Sequence, residues 1–319
     1  MNLRISTLVL TLGMFFSALC VADKAPAIKD FPVDKVTDNV YVIHGPLGMP
    51  SPENQGFMNN PAFVITREGI VVIDPGSSVQ IGEMLLRVIA TVSDKPVIAV
   101  FNTHIHGDHW LANQALRAAY PDVPIYGHEK MIALIEAGAG QSWVDLLERM
   151  TEGQTVGTSV TGPNKVVDNG DVFEFGGMTF KIHHYGKAHT TSDIMIEISE
   201  RSVVFLGDNV LNQRIPRMDD GDFRGNIKAC TKILETDSKV YVPGHGPTGD
   251  ASVPKATRDY LQTLYATVEK YFEEGLSDYE MKKHVAKALS AYANWSGFEE
   301  QLGKHISLAY LQVEEAAFE

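Results

Sequence analysis

Cysteine is scarce in this sequence, which has only Cys20 and Cys230 among its 319 residues. We expect Cys20 to be removed with an N-terminal segment, so one thiol remains and an intrachain disulfide is excluded. The apolar residues around Cys230 follow a helical spacing across residues 227–234. This spacing favours a packed core position for Cys230 over a catalytic thiol or a metal ligand.

Basic residues are also few, with 27 lysines and arginines against 40 acidic residues and a net charge of −13. The sequence therefore lacks the basic surface on which nucleic-acid binding depends. We expect a small-molecule substrate and no nucleic-acid partner. The composition leaves the oligomeric state open.

Long apolar runs are limited to the N-terminus, where Arg4 precedes an uncharged stretch at residues 8–21. This pattern predicts a secretory signal peptide over residues 1–22, so the mature protein would be periplasmic or secreted, without a membrane partner. A retained membrane anchor is the alternative, although the run is short for a span. Lipidation of Cys20 is a third reading, which the bulky Leu19 before it disfavours.

The densest cluster of chemically active side chains lies in residues 104–109, with the sequence HIHGDH. An apolar run at 96–101 predicts a strand before it, and the small residues at 111–116 predict a helix after it. Imidazole nitrogen and carboxylate oxygen suit zinc and related divalent cations, so the cluster predicts a metal site. A solvated loop that is rich in histidine is the alternative. The candidate ligands in this cluster are His104, His106, Asp108 and His109.

Three further candidate ligands come from later in the chain, because one loop rarely directs enough ligands inward. His189 lies in a predicted turn between two strands, and Asp208 follows a strand directly. His245 lies in a loop rich in glycine and proline at residues 243–247, which suits a tight turn after a strand. All three side chains are thus expected at strand ends.

The remaining histidines are weaker candidates. His183 and His184 fall within a predicted strand, where alternation directs one side chain inward and the other outward. Either is a rival to His189, although a strand interior directs side chains less well toward an edge site. The others are expected to be structural or on the surface, namely His44, His128, His284 and His305.

Strands and helices alternate in both halves of the chain up to Gly249, which predicts an α/β fold. Residues 64–74 and 197–208 are similar hairpins that each end in an aspartate, as two related sheets of an αββα sandwich would give. Chance similarity between short hairpins is the alternative. We predict a domain at residues 30–250 and a C-terminal helical extension at 251–319.

Three helices with apolar stripes are predicted in this extension, and Ser277 with Glu280 forms a candidate capping box. Packing on the sandwich is the simplest use of these stripes. Shaping the substrate entrance or forming a dimer interface are the alternatives.

In motifs and in their order, these residues resemble the metallo-β-lactamase-fold hydrolase superfamily over about residues 30–250. The resemblance implies a four-layer αββα sandwich with the site at one edge, and two zinc ions per chain, with iron or manganese as alternatives. Asp74 matches an early structural aspartate that would orient the histidine loop. The implied ligands are His104, His106 and His189 for one metal, Asp108, His109 and His245 for the second, and Asp208 as the bridge.

Two cations about 4 Å apart can hold a bridging hydroxide and polarise a carbonyl group, so no protein nucleophile is needed. Asp108 could also orient the hydroxide or pass a proton to the leaving group, which makes it the candidate catalytic residue. We therefore expect a metallohydrolase that cleaves an ester, thioester, lactone or lactam bond.

Two other activities of the same fold are alternatives. Zinc β-lactamases usually have cysteine or serine where Asp208 stands, which disfavours a β-lactamase proper. Iron-dependent redox or sulfur-oxygenating enzymes share the ligand types, but diiron electron-transfer members usually have glutamate at the position of His106. Glyoxalase II relatives usually carry a Gly-His-Thr-x-Gly-His stretch that residues 187–192 do not reproduce. A metal-binding protein without catalysis is a further alternative.

Two segments could contact the substrate. Residues 45–58 combine glycines and prolines with apolar residues that a solvated connector would not need. This indicates either a flap over the metals or a loop docked on its own domain. After Asp208, Arg214 or Arg217 could bind an anionic substrate or face solvent.

Overall fold

Two β-sheets packed face to face form the centre of the computed structural model, which describes residues 24–318. The predicted signal peptide, residues 1–22, lies outside the described residues. Within residues 24–318, no helix combines the length and the apolar character needed to cross a bilayer.

The first sheet has its seven strands in chain order, antiparallel from β1 to β4 and parallel from β4 to β7. Its strands are β1 (Asp34–Thr37), β2 (Val40–Val42), β3 (Ala62–Ile65), β4 (Ile70–Ile73), β5 (Val97–Phe101), β6 (Ile125–His128) and β7 (Lys165–Val167).

The second sheet has five strands in the order β12-β11-β10-β9-β8, all antiparallel except for the parallel pair β11 and β12. Its strands are β8 (Val172–Phe175), β9 (Met178–His183), β10 (Met195–Ile198), β11 (Val203–Phe205) and β12 (Val240–Val242).

Helices cover both outer faces of the sandwich and form the C-terminal extension. A π-helical turn joins α4 to α5. The helices are α1 (Val79–Val92), α2 (Gly107–Trp110), α3 (Asn113–Ala119), α4 (Glu129–Leu134), α5 (Gly140–Met150), α6 (Phe223–Ile233), α7 (Ser252–Glu273), α8 (Asp278–Ala288) and α9 (Phe298–Phe318).

The central strands are buried along their whole length because both faces of each sheet are covered. Every residue of β4 and of β10 is buried, as expected of strands between two packed layers. Helices α1 and α3 pack on the outer face of the first sheet, and α6 packs on that of the second. The predicted αββα sandwich is therefore confirmed. Cys230 of α6 is fully buried against the second sheet, and burial raises the pKa of its thiol to about 12, which agrees with a packing role.

The C-terminal helices pack on one another, on α6 and on the chain segment that follows Asp208. The predicted capping box of Ser277 and Glu280 at the start of α8 is confirmed. Buried His305 of α9 accepts a hydrogen bond from the Tyr260 hydroxyl and donates one to the Pro216 carbonyl, both at 2.9 Å. Burial lowers the pKa of His305 to about 4, so the ring is neutral at pH 7 and can make both bonds.

The helix predicted over residues 111–116 is instead interrupted between α2 and α3. The Ala112 amide donates to the Gly76 carbonyl at 2.9 Å, so the backbone at the break bonds to the loop after β4 and not to its own helix. This contact joins the histidine loop to the neighbouring strand end. The loops after β4, β5, β11 and β12 thereby meet at one edge of the sandwich, where parallel neighbouring strands end together.

Candidate metal centre

All seven side chains predicted as ligands are buried at this edge, and they form two groups. Within each group the candidate ligand atoms lie within 4.8 Å of one another. The first group consists of His104, His106, His189 and Asp208, and the second of Asp108, His109 and His245.

Asp208 lies between the two groups. Its Oδ1 is 3.1 Å from His109 Nε2, and its Oδ2 is 3.3 Å from His245 Nε2. The same Oδ2 is 3.6 Å from His189 Nε2 of the first group. One carboxylate thus reaches ligands of both groups, as a bridging position requires. Gly244 makes this approach feasible, because any Cβ at this position would collide with Asp208 Oδ1.

Asp74 holds the histidine loop in place through hydrogen bonds. Its carboxylate accepts hydrogen bonds from the Thr103 amide at 2.8 Å, the Thr103 hydroxyl at 2.6 Å and His109 Nδ1 at 2.8 Å. Asp74 itself has a positive φ of 47°, a backbone conformation that a non-glycine residue adopts only when its surroundings hold it there. These contacts give Asp74 the orienting position that the sequence predicted.

Asp220 is a site residue that the sequence analysis missed. Its carboxylate lies 3.1 Å from His106 Nε2, so that nitrogen donates outward and leaves Nδ1 directed at the cluster. His106 Nδ1 lies 3.0 Å from His189 Nε2. Metal-binding histidines commonly make such a bond through their second nitrogen, because it sets the ring orientation and the tautomer. Asp220 lies 114 positions from His106 in a loop without a recognisable motif.

The histidine nitrogens of the second group are placed to bind a cation. His109 donates through Nδ1 to Asp74, and His245 donates through Nδ1 to the Met58 carbonyl at 2.7 Å. Both rings therefore direct Nε2 inward, and the two Nε2 atoms are 3.3 Å apart. Two imidazole nitrogens this close in a buried site repel if both are unprotonated or both carry a proton, whereas a divalent cation can accept both lone pairs. The donor set thus fits a metal.

The first group gives the same result. His104 Nε2 is buried and has no hydrogen-bond partner among the described residues. Burial lowers the pKa of His104 well below its usual value, and it lowers the pKa of His189 to about 3. Both rings are therefore neutral at pH 7 and offer nitrogen lone pairs, which is the form that binds metal.

The electrostatic potential of the site also favours a cation. Burial opposes a charge on His109, but Asp208, Asp108 and Asp74 outweigh this and raise its pKa well above the usual value. A site that draws a proton onto a buried ring in this way is negative enough to attract divalent cations.

Neither rival histidine reaches the cluster. His183 Nε2 bonds to the Glu197 carboxylate at 2.9 Å. His184 donates through Nδ1 to the Asp193 carbonyl at 2.7 Å and stacks on the ring of His128 at a centroid distance of 4.2 Å. Of the three, the structure brings only His189 into the cluster.

A cavity opens next to the two groups of candidate ligands. Loop residues 45–58 contribute Met49, Pro50 and Met58 to its lining, whereas Phe57 is fully buried in the core beside α1. The loop therefore both covers the site and docks on its own domain. The other lining residues are His106, Asp108, Trp143, Leu146, Leu147, Met150, His189, Asp208, Leu211, Arg214, Arg217 and His245.

His189→Ala is expected to bind less metal than the wild type, because it removes a ligand atom of the first group. His184→Ala is the matched control, since it removes a histidine of the same β9–β10 connection that points away from the cluster. We would measure zinc per chain by elemental analysis after purification in buffered zinc. Loss of metal from His184→Ala with retention in His189→Ala would reverse the assignment.

The sequence profile of the Metallo-beta-lactamase superfamily matches residues 55–245, which is more than half of the chain. A probable metallo-hydrolase of Streptococcus pyogenes serotype M6 is 25% identical over 201 residues, covering 59% of this chain and 79% of the relative. A hydroxyacylglutathione hydrolase of Microcystis aeruginosa is 23% identical over 209 residues, covering 62% and 71%.

Solved structures of low sequence identity share the fold. A metallo-beta-lactamase from Pontibacter korlensis has a TM-score of 0.60 and 22% identity, and the match covers 73% of this chain and 99% of that one. A sec-alkylsulfatase from Pseudomonas sp. has a TM-score of 0.69 and 15% identity, covering 88% of this chain and 50% of that one. The superfamily that the sequence motifs predicted is confirmed, and the chain belongs to the metallo-beta-lactamase superfamily.

Proposed function

We propose that this protein is a dinuclear zinc hydrolase that cleaves a carbonyl-centred bond in an ester, thioester, lactone or lactam. The hydrolase class follows from its family, and the metal and the bond are our proposal. The main support is the inward direction of the histidine nitrogens, with Asp208 between the two groups. When bound, two zinc ions would lower the pKa of a water molecule to about 7 and polarise the attacked carbonyl.

The protein's own groups would then orient the reactants. Asp74 and Asp220 fix the rings of His109 and His106 through their outer nitrogens. Asp108 lines the cavity, and its Oδ2 lies 3.1 Å from His245 Nε2. We assign to Asp108 Oδ2 the transfer of a proton from the attacking water to the leaving oxygen, sulfur or nitrogen as its bond to the carbonyl carbon breaks.

The test combines metal analysis of the purified protein with a panel of esters, thioesters, lactones and β-lactams. We expect about two zinc ions per chain. Hydrolysis of the best ester, thioester or lactone should exceed that of penicillins, cephalosporins and carbapenems. Efficient β-lactam turnover would instead support the β-lactamase alternative. Iron accompanied by oxygen consumption would overturn the proposal.

We also infer that the protein is exported to the periplasm or secreted. The support is the sequence of residues 1–22, in which a single arginine precedes an apolar run that ends in small residues. N-terminal sequencing of the protein from fractionated cells is the test. A mature protein that begins at Asp23 outside the cytoplasm is the expected result, and a cytoplasmic protein that retains Met1 would contradict it.

A further inference from the structure

Arg214 is a buried cation beside the metal groups, with 7% of its surface exposed. Among residues 24–318, no carboxylate oxygen lies within the 4.0 Å of its guanidinium that would make an ion pair. Burial lowers the pKa of Arg214, yet an arginine remains protonated at neutral pH. A charge removed from water in this way is costly unless a partner compensates it.

The near neighbours of the guanidinium do not supply that partner. Nη1 lies 2.9 Å from His245 Nδ1, but that nitrogen already donates its proton to the Met58 carbonyl. Nη2 lies 3.8 Å from the sulfur of Met49, which is a weak acceptor. The guanidinium therefore retains unused donors, and Arg214 lines the same cavity as the candidate metal ligands.

The chain holds Arg214 in this place through contacts with the C-terminal extension. The Ile215 amide donates to the Ser296 carbonyl at 2.9 Å, and the Ser296 amide donates to the Gln213 carbonyl at 2.9 Å. Both neighbours of Arg214 are thus bonded to one residue just before α9. Arg217 differs, because it is more exposed and its guanidinium pairs with the Asp219 carboxylate at 3.1 Å.

The opposite side of the cavity is apolar. Helix α5 directs Trp143, Leu146, Leu147 and Met150 into it, at the spacing of one helix face. The ring centroids of Trp143 and His106 are 5.0 Å apart, so this apolar wall begins directly beside the candidate metal ligands. A substrate in this cavity would contact an apolar helix on one side and an unpaired cation on the other.

We propose that Arg214 binds an anionic group of the substrate, a carboxylate or a sulfate, while the α5 face holds an apolar chain. This inference rests on the proposed function and narrows its substrate class to anionic amphiphiles. A guanidinium pairs with either oxyanion through two parallel hydrogen bonds, which suits a specificity-determining contact.

The kinetic test compares two esters of equal chain length, neutral 4-nitrophenyl hexanoate and anionic 4-nitrophenyl hydrogen adipate. The wild type should prefer the anionic ester by about tenfold or more in kcat/KM, the effect expected of a charge-assisted hydrogen bond. Arg214→Gln should lose this preference because its kcat/KM falls for the anionic ester only. Arg217→Gln should retain most of it, and a loss confined to Arg217→Gln would overturn the proposal.

Calorimetric binding gives a readout that does not depend on turnover. Adipate and hexanoate each offer one carboxylate to the metals, so tighter binding of adipate reports the second carboxylate. Arg214→Gln should abolish this difference when both proteins are folded and loaded with the same amount of zinc per chain. 5-Sulfooxypentanoate and adipate each offer one carboxylate to the metals, so tighter binding of 5-sulfooxypentanoate would identify sulfate as the anion at Arg214, and the reverse order would identify carboxylate.

The two proposals fail separately. If the zinc-loaded wild type hydrolyses neither ester but binds adipate through Arg214, the proposed bond class is wrong and the anion site stands. If it hydrolyses both esters equally and Arg214→Gln changes neither the kinetics nor the binding, the anion site is wrong and the hydrolase proposal stands.

Discussion

Asp208→Ala is expected to leave about one metal ion per chain, because a carboxylate that bridges two cations offsets the repulsion between them. Its two oxygens lie 3.1 Å from His109 Nε2 and 3.6 Å from His189 Nε2, so its removal affects both groups. We expect the second site to lose affinity most. Hydrolysis of the best substrate should fall by more than the roughly 10–100-fold that loss of an outer hydrogen-bond partner costs.

Zinc titration by calorimetry, with elemental analysis, would measure this effect. Asp208→Asn separates charge from shape, since it keeps the side-chain size but removes the negative charge. Asp122→Ala removes an exposed aspartate that belongs to neither ligand group and should retain full metal content. Two tightly bound metals in both Asp208 variants would contradict a bridging role.

The sequence could predict that these candidate site residues lie at one edge because several of them follow a recognisable strand. Asp74 comes directly after β4, and Asp208 comes shortly after β11. An apolar run that ends in a polar residue marks the point where a side chain leaves the sheet, and parallel neighbours end at the same edge. Local pattern and sheet geometry together were therefore sufficient for this part of the site.

The surroundings of the ligands could not be predicted in the same way. The bond of Asp220 to His106 joins segments 114 positions apart, and neither has a local signal for the other. Helix α5 does have apolar residues at helical spacing, which could have predicted a helix there. That its apolar face would line the cavity depends on the kinked α4–α5 connection, where Gly138 has a φ of 104°.

The sequence also could not predict which of Arg214 and Arg217 is the candidate for binding an anionic substrate. The two arginines are three positions apart in one loop, and their sequence surroundings do not distinguish them. Their difference arises from tertiary contacts, because Ser296 holds the backbone on both sides of Arg214, whereas Asp219 pairs with Arg217. The C-terminal extension, whose role the sequence left open, therefore contributes to the position of a cavity residue.

Truncation after Asp250 is expected to yield an insoluble or unfolded protein, because α7–α9 share a core with the rest of the chain. Ile215, Met218 and Phe223 are buried in that core. Exposing each such side chain costs about 1.5–3 kcal/mol. The free energy of unfolding of an ordinary domain is about 5–15 kcal/mol. Exposing these side chains and losing the contacts between α6 and α7 would therefore cost a free energy comparable to the total stability.

Truncation after Val313 is the matched control, since it removes mainly exposed residues of α9 and should leave a folded protein. Soluble yield and thermal unfolding monitored by circular dichroism would compare the two truncations with the full chain. His305→Ala supplies an intermediate case, because it removes the hydrogen bond to the Pro216 carbonyl and leaves the Tyr260 hydroxyl without its buried partner. If the chain truncated after Asp250 were soluble and fully active, the extension would be a separate module, and the placement of Arg214 would not depend on it.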